Sequence, residues 1–129
     1  MDSKQTFNQE MCSWINVDST QSHEVKKLRE SYAISDEMLT YALDDNERAR
    51  VEYDPMEKAL LLIFNVPNLL KKDNHYETSP MAFILKDHYF FSFVNERTAY
   101  VENIIDNLLM NEPNQSTASL LFHTLFLIS

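Results

Sequence analysis

A short acidic segment holds the densest set of charged side chains in this chain. Residues 43–54 read LDDNERARVEYD and combine five carboxylates with two arginines. The carboxylates belong to Asp44, Asp45, Glu47, Glu52 and Asp54. Converging carboxylate oxygens can bind a hard divalent cation, and paired carboxylic acids can act in acid–base catalysis. Alternation with Arg48 and Arg50 is also typical of a solvated turn held by ion pairs.

The spacing of these acids does not fit the calcium-binding loop of an EF-hand. That loop needs an oxygen ligand at its fifth position, a glycine at the next and a glutamate at its end. Counted from Asp44, the fifth residue is Arg48 and the sixth is Ala49. We therefore expect an ion-pair surface here and no self-contained metal site.

Few other residues offer chemistry. The four histidines are scattered, and no two of them form a helical pair. They are His23, His75, His88 and His123. Cys12 is the only cysteine, whereas zinc sites bring together three or four such ligands at close spacing. No local pattern marks a nucleophile either. We predict no catalytic, cofactor-binding or metal-ligating residues, and no enzymatic activity.

The composition excludes several classes of function. The chain of 129 residues contains no glycine, which disfavours phosphate-binding loops, the dinucleotide fingerprint and the nucleophile elbow together. A net charge of −9 repels the phosphate backbone, so nucleic acid is not an expected partner. The polar first residues lack the apolar core of a signal peptide, and no apolar run is long enough to cross a bilayer.

The hydrophobic pattern predicts strands with helices before and after them. We expect one or two strands within residues 5–17, a helix over 21–32 capped from Asp18, Ser19 and Thr20, and a second helix capped by Ser35. After it we expect a strand at 51–53, a central strand at 59–66 and an exposed loop at 67–79. A hairpin of 81–85 with 89–94 follows, and then helices over 98–111 and from 116 onward. Asp87 is the residue expected to take a positive φ in that hairpin. The pattern predicts a single α/β (α+β mixed) layered domain with a mixed, largely antiparallel sheet.

The last residues are strongly apolar up to Ser129. Terminal residues are usually solvated, so the apolar LFLIS ending predicts a domain spanning 1–129 that is truncated within a helix. The other interpretation is a C-terminal helix docked on the domain.

Taken in order, these pieces resemble the amino-terminal cytosolic domain of the CorA family of magnesium channels. The resembling residues are 14–17 (WINV), Glu24, Val25, Leu28, Ile34, 42–43, 47–52 (ERARVE), 66–67, Pro80, Ile84 and Leu85. The segment 47–52 resembles the family's ERPRVE signature, with Ala49 in place of proline. The resemblance covers roughly residues 14–129.

The resemblance implies an α/β/α cytosolic domain that leads to a stalk helix and two membrane helices. The full-length protein would be a homopentamer in the cell membrane that passes Mg²⁺, with Co²⁺ or Ni²⁺ as further possible ions. This chain would be its regulatory part on the cytoplasmic face. It would lack the pore and bind no cofactor tightly, with Mg²⁺ as the transported and regulatory ion. Its partners would be its own stalk and membrane region and identical protomers.

One departure affects the regulatory metal sites. Acids that contribute to those sites in the family are replaced by Thr40 and Tyr41, and neither side chain is a good ligand for a hard cation. Asp44 and Asp45, one turn further along, are candidates to substitute for them. The alternative function is a free-standing acidic α/β interaction module with a basic partner.

Overall fold

Six strands and four helices make up the computed structural model, which describes residues 3–44, 48–72 and 75–128. The strands are β1 (Ser3–Phe7), β2 (Cys12–Asp18), β3 (Arg50–Asp54), β4 (Ala59–Lys72), β5 (His75–Lys86) and β6 (Tyr89–Val94). The helices are α1 (Ser22–Tyr32), α2 (Asp36–Ala42), α3 (Tyr100–Asn111) and α4 (Thr117–Ile128). The described part of Leu43–Asp54 therefore joins a helix to a strand.

All six strands form one sheet in the order β1-β2-β6-β5-β4-β3. β2 and β6 pair in parallel, with Asn16 opposite Ser92, and every other neighbouring pair is antiparallel. A parallel pair needs a long crossover connection, which here contains α1, α2 and three strands. The predicted mixed, largely antiparallel sheet is confirmed.

Helices cover both faces of the sheet. Because successive side chains of a strand point to opposite faces, Trp14 and Ile15 belong to different cores. The core with Trp14 includes Val101, Ile105 and Leu109 of α3 together with Leu120, Leu121 and Ile128 of α4. The core with Ile15 includes Leu28 of α1 and Met38 and Leu39 of α2. This arrangement confirms the α/β/α layers.

The predicted exposed loop at residues 67–79 is wrong. β4 continues to Lys72 and β5 begins at His75, so the two strands form a long hairpin with a register shift between Pro67 and Lys71. Polar composition suggested a loop, but antiparallel pairing is made by backbone groups and does not require apolar side chains. The Tyr100 hydroxyl donates to the Pro67 carbonyl at 2.6 Å, and burial raises the pKa of that phenol.

β4 is also not the central strand that its apolar run predicted. It lies next to the edge strand β3. Leu61 and Ile63 are buried under the α1–α2 layer, whereas Leu60 and Leu62 on the other face are only half-buried. On that other face Val66 is buried in the α3–α4 core, and Leu62 and Phe64 pack against the same core, so the predicted cover on both faces is confirmed and only the central position is wrong.

The predicted cap of α1 is wrong as well. Gln21 occupies the N-cap position and makes no side-chain cap hydrogen bond. Asp18 Oδ1 instead accepts from the Thr20 backbone N–H and hydroxyl, while the Ser19 hydroxyl donates to the Val94 carbonyl. The cap predicted for α2 is confirmed, because Ser35 Oγ accepts from the Met38 N–H at 3.2 Å.

A chain without glycine must place other residues in left-handed backbone. Asp87 has φ 55°, as predicted for the hairpin turn. The same region is occupied by Asn8, Gln9, Glu10, Ala33 and Lys58. Ala33 ends α1 with φ 56° and ψ 35°, and its N–H bonds to the Leu28 carbonyl. For a residue with a Cβ atom this conformation costs about 1–2 kcal/mol.

Ala33→Gly is therefore expected to raise the free energy of unfolding, by about 0.5–1 kcal/mol after the entropy cost of glycine. Urea denaturation measures the change. The matched control is Ala118→Gly in the first turn of α4, where the same substitution should lower stability by up to about 1 kcal/mol. Destabilisation by both substitutions would contradict the strain at Ala33.

Candidate functional site

The acidic segment divides into a part before β3 and the edge strand itself. Asp44 follows α2 and is exposed, while Asp45 and Glu47 lie outside the described residues. Arg50, Glu52 and Asp54 alternate along β3 on the side of the sheet that carries α2. The structure therefore spreads the described acids along an edge and does not gather them around one point.

Each described charge on β3 has a local structural partner. Arg50 forms an ion pair with Glu52, and its guanidinium carbon lies 4.2 Å from the centre of the Tyr41 ring. Asp54 Oδ1 accepts from the backbone N–H groups of Met56 and Glu57 at 2.9 and 3.3 Å. These contacts close the turn to β4 and attach the strand to α2, which is a structural use of the carboxylates.

Thr40 and Tyr41 stand where the resemblance expects acids. The Thr40 hydroxyl donates to the Asp36 carbonyl one turn earlier, at 2.8 Å. Tyr41 is half-buried beneath the Arg50 guanidinium. A cation bound at this position would face that positive charge, so the packing of Tyr41 opposes a metal site as much as its chemistry does.

The other predicted candidates are dispersed. His23, His88 and His123 are exposed on α1, on the β5–β6 turn and on α4, and His75 begins β5. Cys12 is buried in the α3–α4 core. Among residues 3–44, 48–72 and 75–128, no group of three or more His, Cys, Asp or Glu side chains could hold a metal ion.

A cleft that the sequence did not predict opens beside the parallel strand pair. It has a volume of about 500 Å³ and lies where β2 and β6 end, next to the turn before α3. Its lining includes Asn16, Asp18, Thr20, Arg97 and Glu102. The Thr20 hydroxyl, and after it the Thr20 N–H, lowers the pKa of Asp18, so this carboxylate is anionic at neutral pH. Clefts at the carboxyl ends of parallel strands are common ligand sites.

No local sequence pattern could have predicted this cleft, because its lining comes from segments that are distant in the chain. Asn16 and Asp18 belong to β2 and Thr20 follows it, whereas the other lining residues belong to β6, the turn after it and the start of α3, some 75 residues later in the chain. Only the parallel pairing of β2 with β6 brings these two segments together. From the sequence alone, Asp18 and Thr20 were interpreted as caps of the first helix and not as residues of a cleft.

The fold places the chain in the class of α/β/α domains with a mixed sheet. Among the described strands, a single pair is parallel. The family model described as "CorA-like Mg2+ transporter protein" matches residues 9–128. This chain belongs to that family.

Solved structures share the fold. The soluble domain of CorA from Methanocaldococcus jannaschii is 23% identical with a TM-score of 0.72, and the match covers 92% of this chain and 47% of that one. The complete CorA magnesium transporter of the same organism is 23% identical with a TM-score of 0.73, and the match covers 98% of this chain and 39% of that one. The ZntB cytoplasmic domain from Vibrio parahaemolyticus RIMD 2210633 is 14% identical with a TM-score of 0.70, covering 96% of this chain and 48% of that one.

This chain thus spans less than half the length of each of these proteins. A comparison with curated protein sequences gave no match. No helix within the described residues is long and apolar enough to cross a membrane.

Proposed function

We propose that this chain is the cytosolic regulatory domain of a divalent-cation transporter of the CorA-like family. The match of the family model to residues 9–128 carries the proposal. The α/β/α fold and its likeness to the soluble domain of a CorA protein support it. The domain performs no chemistry of its own. It acts through its contacts with a stalk and membrane region and with identical protomers in a homopentamer.

Mg²⁺ is the proposed transported and regulatory ion. An ion bound between protomers stabilises one arrangement of the assembly by its higher affinity for that arrangement. When the ion leaves, carboxylates on neighbouring acidic domains repel each other, and a net charge of −9 per chain makes that repulsion substantial. In this mechanism the domain reports the cytosolic Mg²⁺ concentration to the pore.

The first experiment is to determine the reading frame beyond Ser129. We expect a long helix followed by two apolar spans, with a Gly-Met-Asn motif at the start of the pore. A stop codon directly after Ser129 would overturn the assignment to a transporter. The full-length protein is then reconstituted in liposomes, and Mg²⁺ flux is measured with a Mg²⁺-sensitive dye while Mg²⁺ on the domain side is varied. We expect flux to fall as that concentration rises, and the dependence to disappear when residues 9–128 are deleted.

The isolated chain is expected to bind Mg²⁺ weakly. Glu52 and Asp54 are engaged in an ion pair and a turn, and Thr40 and Tyr41 are poor ligands, so the α2–β3 edge of one protomer offers no convergent oxygens among its described residues. Titration calorimetry checks this. A stoichiometric site tighter than about 0.1 mM, within the range of dedicated oxygen sites, would contradict it. If such a site appears, Asp44→Asn and Asp45→Asn will show whether these acids form it, with Glu30→Gln on α1 as the control.

One observation favours the alternative of an acidic interaction module. The inner side of α4 is docked on the sheet through Leu120, Leu121 and Ile128. On the outer side of the same helix, Phe122 is 67% exposed and Phe126 is 80% exposed. The reading frame beyond Ser129 separates the two functions, because the module requires no membrane region.

A further inference from the structure

The cleft between the ends of β2 and β6 contains a buried donor that has no partner among the residues the structure describes. Asn16 is 7% exposed and lines the cleft. Its Oδ1 accepts from the Ser92 hydroxyl at 2.7 Å, and Ser92 Oγ accepts from Trp14 Nε1 at 2.9 Å. Within the described parts of the chain, Asn16 Nδ2 donates to no group. A buried amide without a partner costs about 1–3 kcal/mol, so its retention calls for a ligand or solvent at that point.

The hydrogen bonds of Trp14 and Ser92 determine which end of the Asn16 amide is left to bind a ligand. The indole Nε1 can only donate, so the hydrogen of the Ser92 hydroxyl is free to point to Asn16. The amide oxygen is then the end that meets Ser92, and the NH₂ group is the end left over. Trp14 and Ser92 are 2% and 0% exposed, so the packing of the core holds this orientation.

The other charged groups of the cleft carry both signs. Asp18, Glu96 and Glu102 contribute carboxylates and Arg97 a guanidinium, which leaves the lining with a net charge of −2. Throughout the described residues, the side chains of Glu96, Arg97 and Glu102 make no ion pair. A simple cation would meet the Arg97 charge and leave the Asn16 donor unpaired. A simple anion would meet three carboxylates.

We propose that this cleft binds a free α-amino acid through its zwitterionic backbone. The ligand carboxylate accepts from Asn16 Nδ2 and the Arg97 guanidinium, and its ammonium group donates to Asp18 and Glu102. A volume of about 500 Å³ suits a ligand of this size with a modest side chain. The site is separate from the α2–β3 edge and does not depend on ion transport.

The test is a ¹H–¹⁵N NMR titration of the 129-residue chain. The probes are an equimolar mixture of L-alanine, L-serine, L-glutamine and L-leucine, and separately ethylammonium, propionate and MgCl₂. Ethylammonium and propionate each retain one of the two charged groups of alanine. We expect the mixture to cause saturable shifts of the Asn16 side-chain NH₂ signal below about 10 mM, within the affinity available to a ligand of so few atoms. The other three probes should bind at least about tenfold more weakly, because each lacks a charge-assisted hydrogen bond.

Asn16→Asp replaces the donor by an acceptor of the same shape, and Arg97→Gln removes the exposed cation. Because Asn16→Asp has no side-chain NH₂ signal, binding to the variants is followed by the backbone amide signals of the cleft residues. Each should weaken binding of the mixture by about tenfold or more, since a hydrogen bond to a charged group contributes about 1.5–3 kcal/mol. Asn107→Asp on the exposed side of α3 is the matched control and should leave affinity unchanged. Arg97→Gln keeps the test valid if Asn16→Asp does not fold. Absence of saturable binding, equal binding of a single-charge probe or of MgCl₂, or unchanged affinity in Arg97→Gln would overturn the proposal.

Discussion

Ser92→Ala is expected to lower the free energy of unfolding by about 2–4 kcal/mol, although it removes a single oxygen atom. The Ser92 hydroxyl is fully buried and serves two groups at once, accepting from Trp14 Nε1 and donating to Asn16 Oδ1. Alanine leaves both partners buried without a hydrogen bond, and each of them carries its own desolvation cost. Urea denaturation followed by the fluorescence of Trp14, the only tryptophan, measures the change.

The chain offers a matched control for this substitution. Ser79 on β5 is likewise buried, at 4% exposed, but in the described part of the chain its hydroxyl has no hydrogen-bond partner. Ser79→Ala should therefore cost less than about 1 kcal/mol, because no second group loses a bond. Equal losses in the two variants would mean that the Trp14–Ser92–Asn16 chain adds nothing beyond ordinary burial.

The largest loss of stability is expected from Phe91→Ala, at about 3–5 kcal/mol. Phe91 is fully buried on β6, and its ring centre lies 5.3 Å from that of Tyr32 on α1 in an edge-to-face contact. Truncation removes buried apolar area and leaves a cavity between the sheet and α1. Thermal and urea unfolding measure the loss.

The control substitution uses a phenylalanine on the outer side of α4. Phe122 is 67% exposed, and Phe122→Ala should change stability by no more than about 0.5 kcal/mol. A comparable loss in both variants would show that the outer side of α4 is packed in solution, for instance against a second copy of the chain. A loss at Phe91 alone confirms the layer between β6 and α1.

Local sequence signals located most of the elements. The apolar residues Val101, Ile105 and Leu109 recur at the spacing of a helix, so the sequence alone indicates α3. Ser35 marked the start of α2 because the side-chain oxygen that caps a helix belongs to the residue directly before its first turn, so the signal is local. Asp87 was identifiable because a tight turn in a glycine-free chain needs a residue that tolerates positive φ.

Signals that depended on partners elsewhere in the chain were lost or misread. The polar residues between Pro67 and Ser79 indicated a loop, because nothing local reveals that two segments will pair backbone to backbone. Asp18 and Thr20 had the composition of a helix cap, yet they bond to each other at the end of β2. The position of β6 decided between a helix cap and this turn, because the Val94 carbonyl of β6 accepts from the Ser19 hydroxyl.

The sequence by itself determined the class of fold and the family. Those conclusions rest on composition, order and periodicity, which are properties of the chain read along its length. The tertiary structure alone decided that Tyr41 packs under Arg50 and that Asn16 lines a cleft with no partner for its amide nitrogen among the described residues. Asn16 and Ser92 are 76 residues apart, and only the parallel pairing of β2 with β6 makes them neighbours. A hydrogen bond depends on distance in space, and the folding of the sheet is what sets that distance.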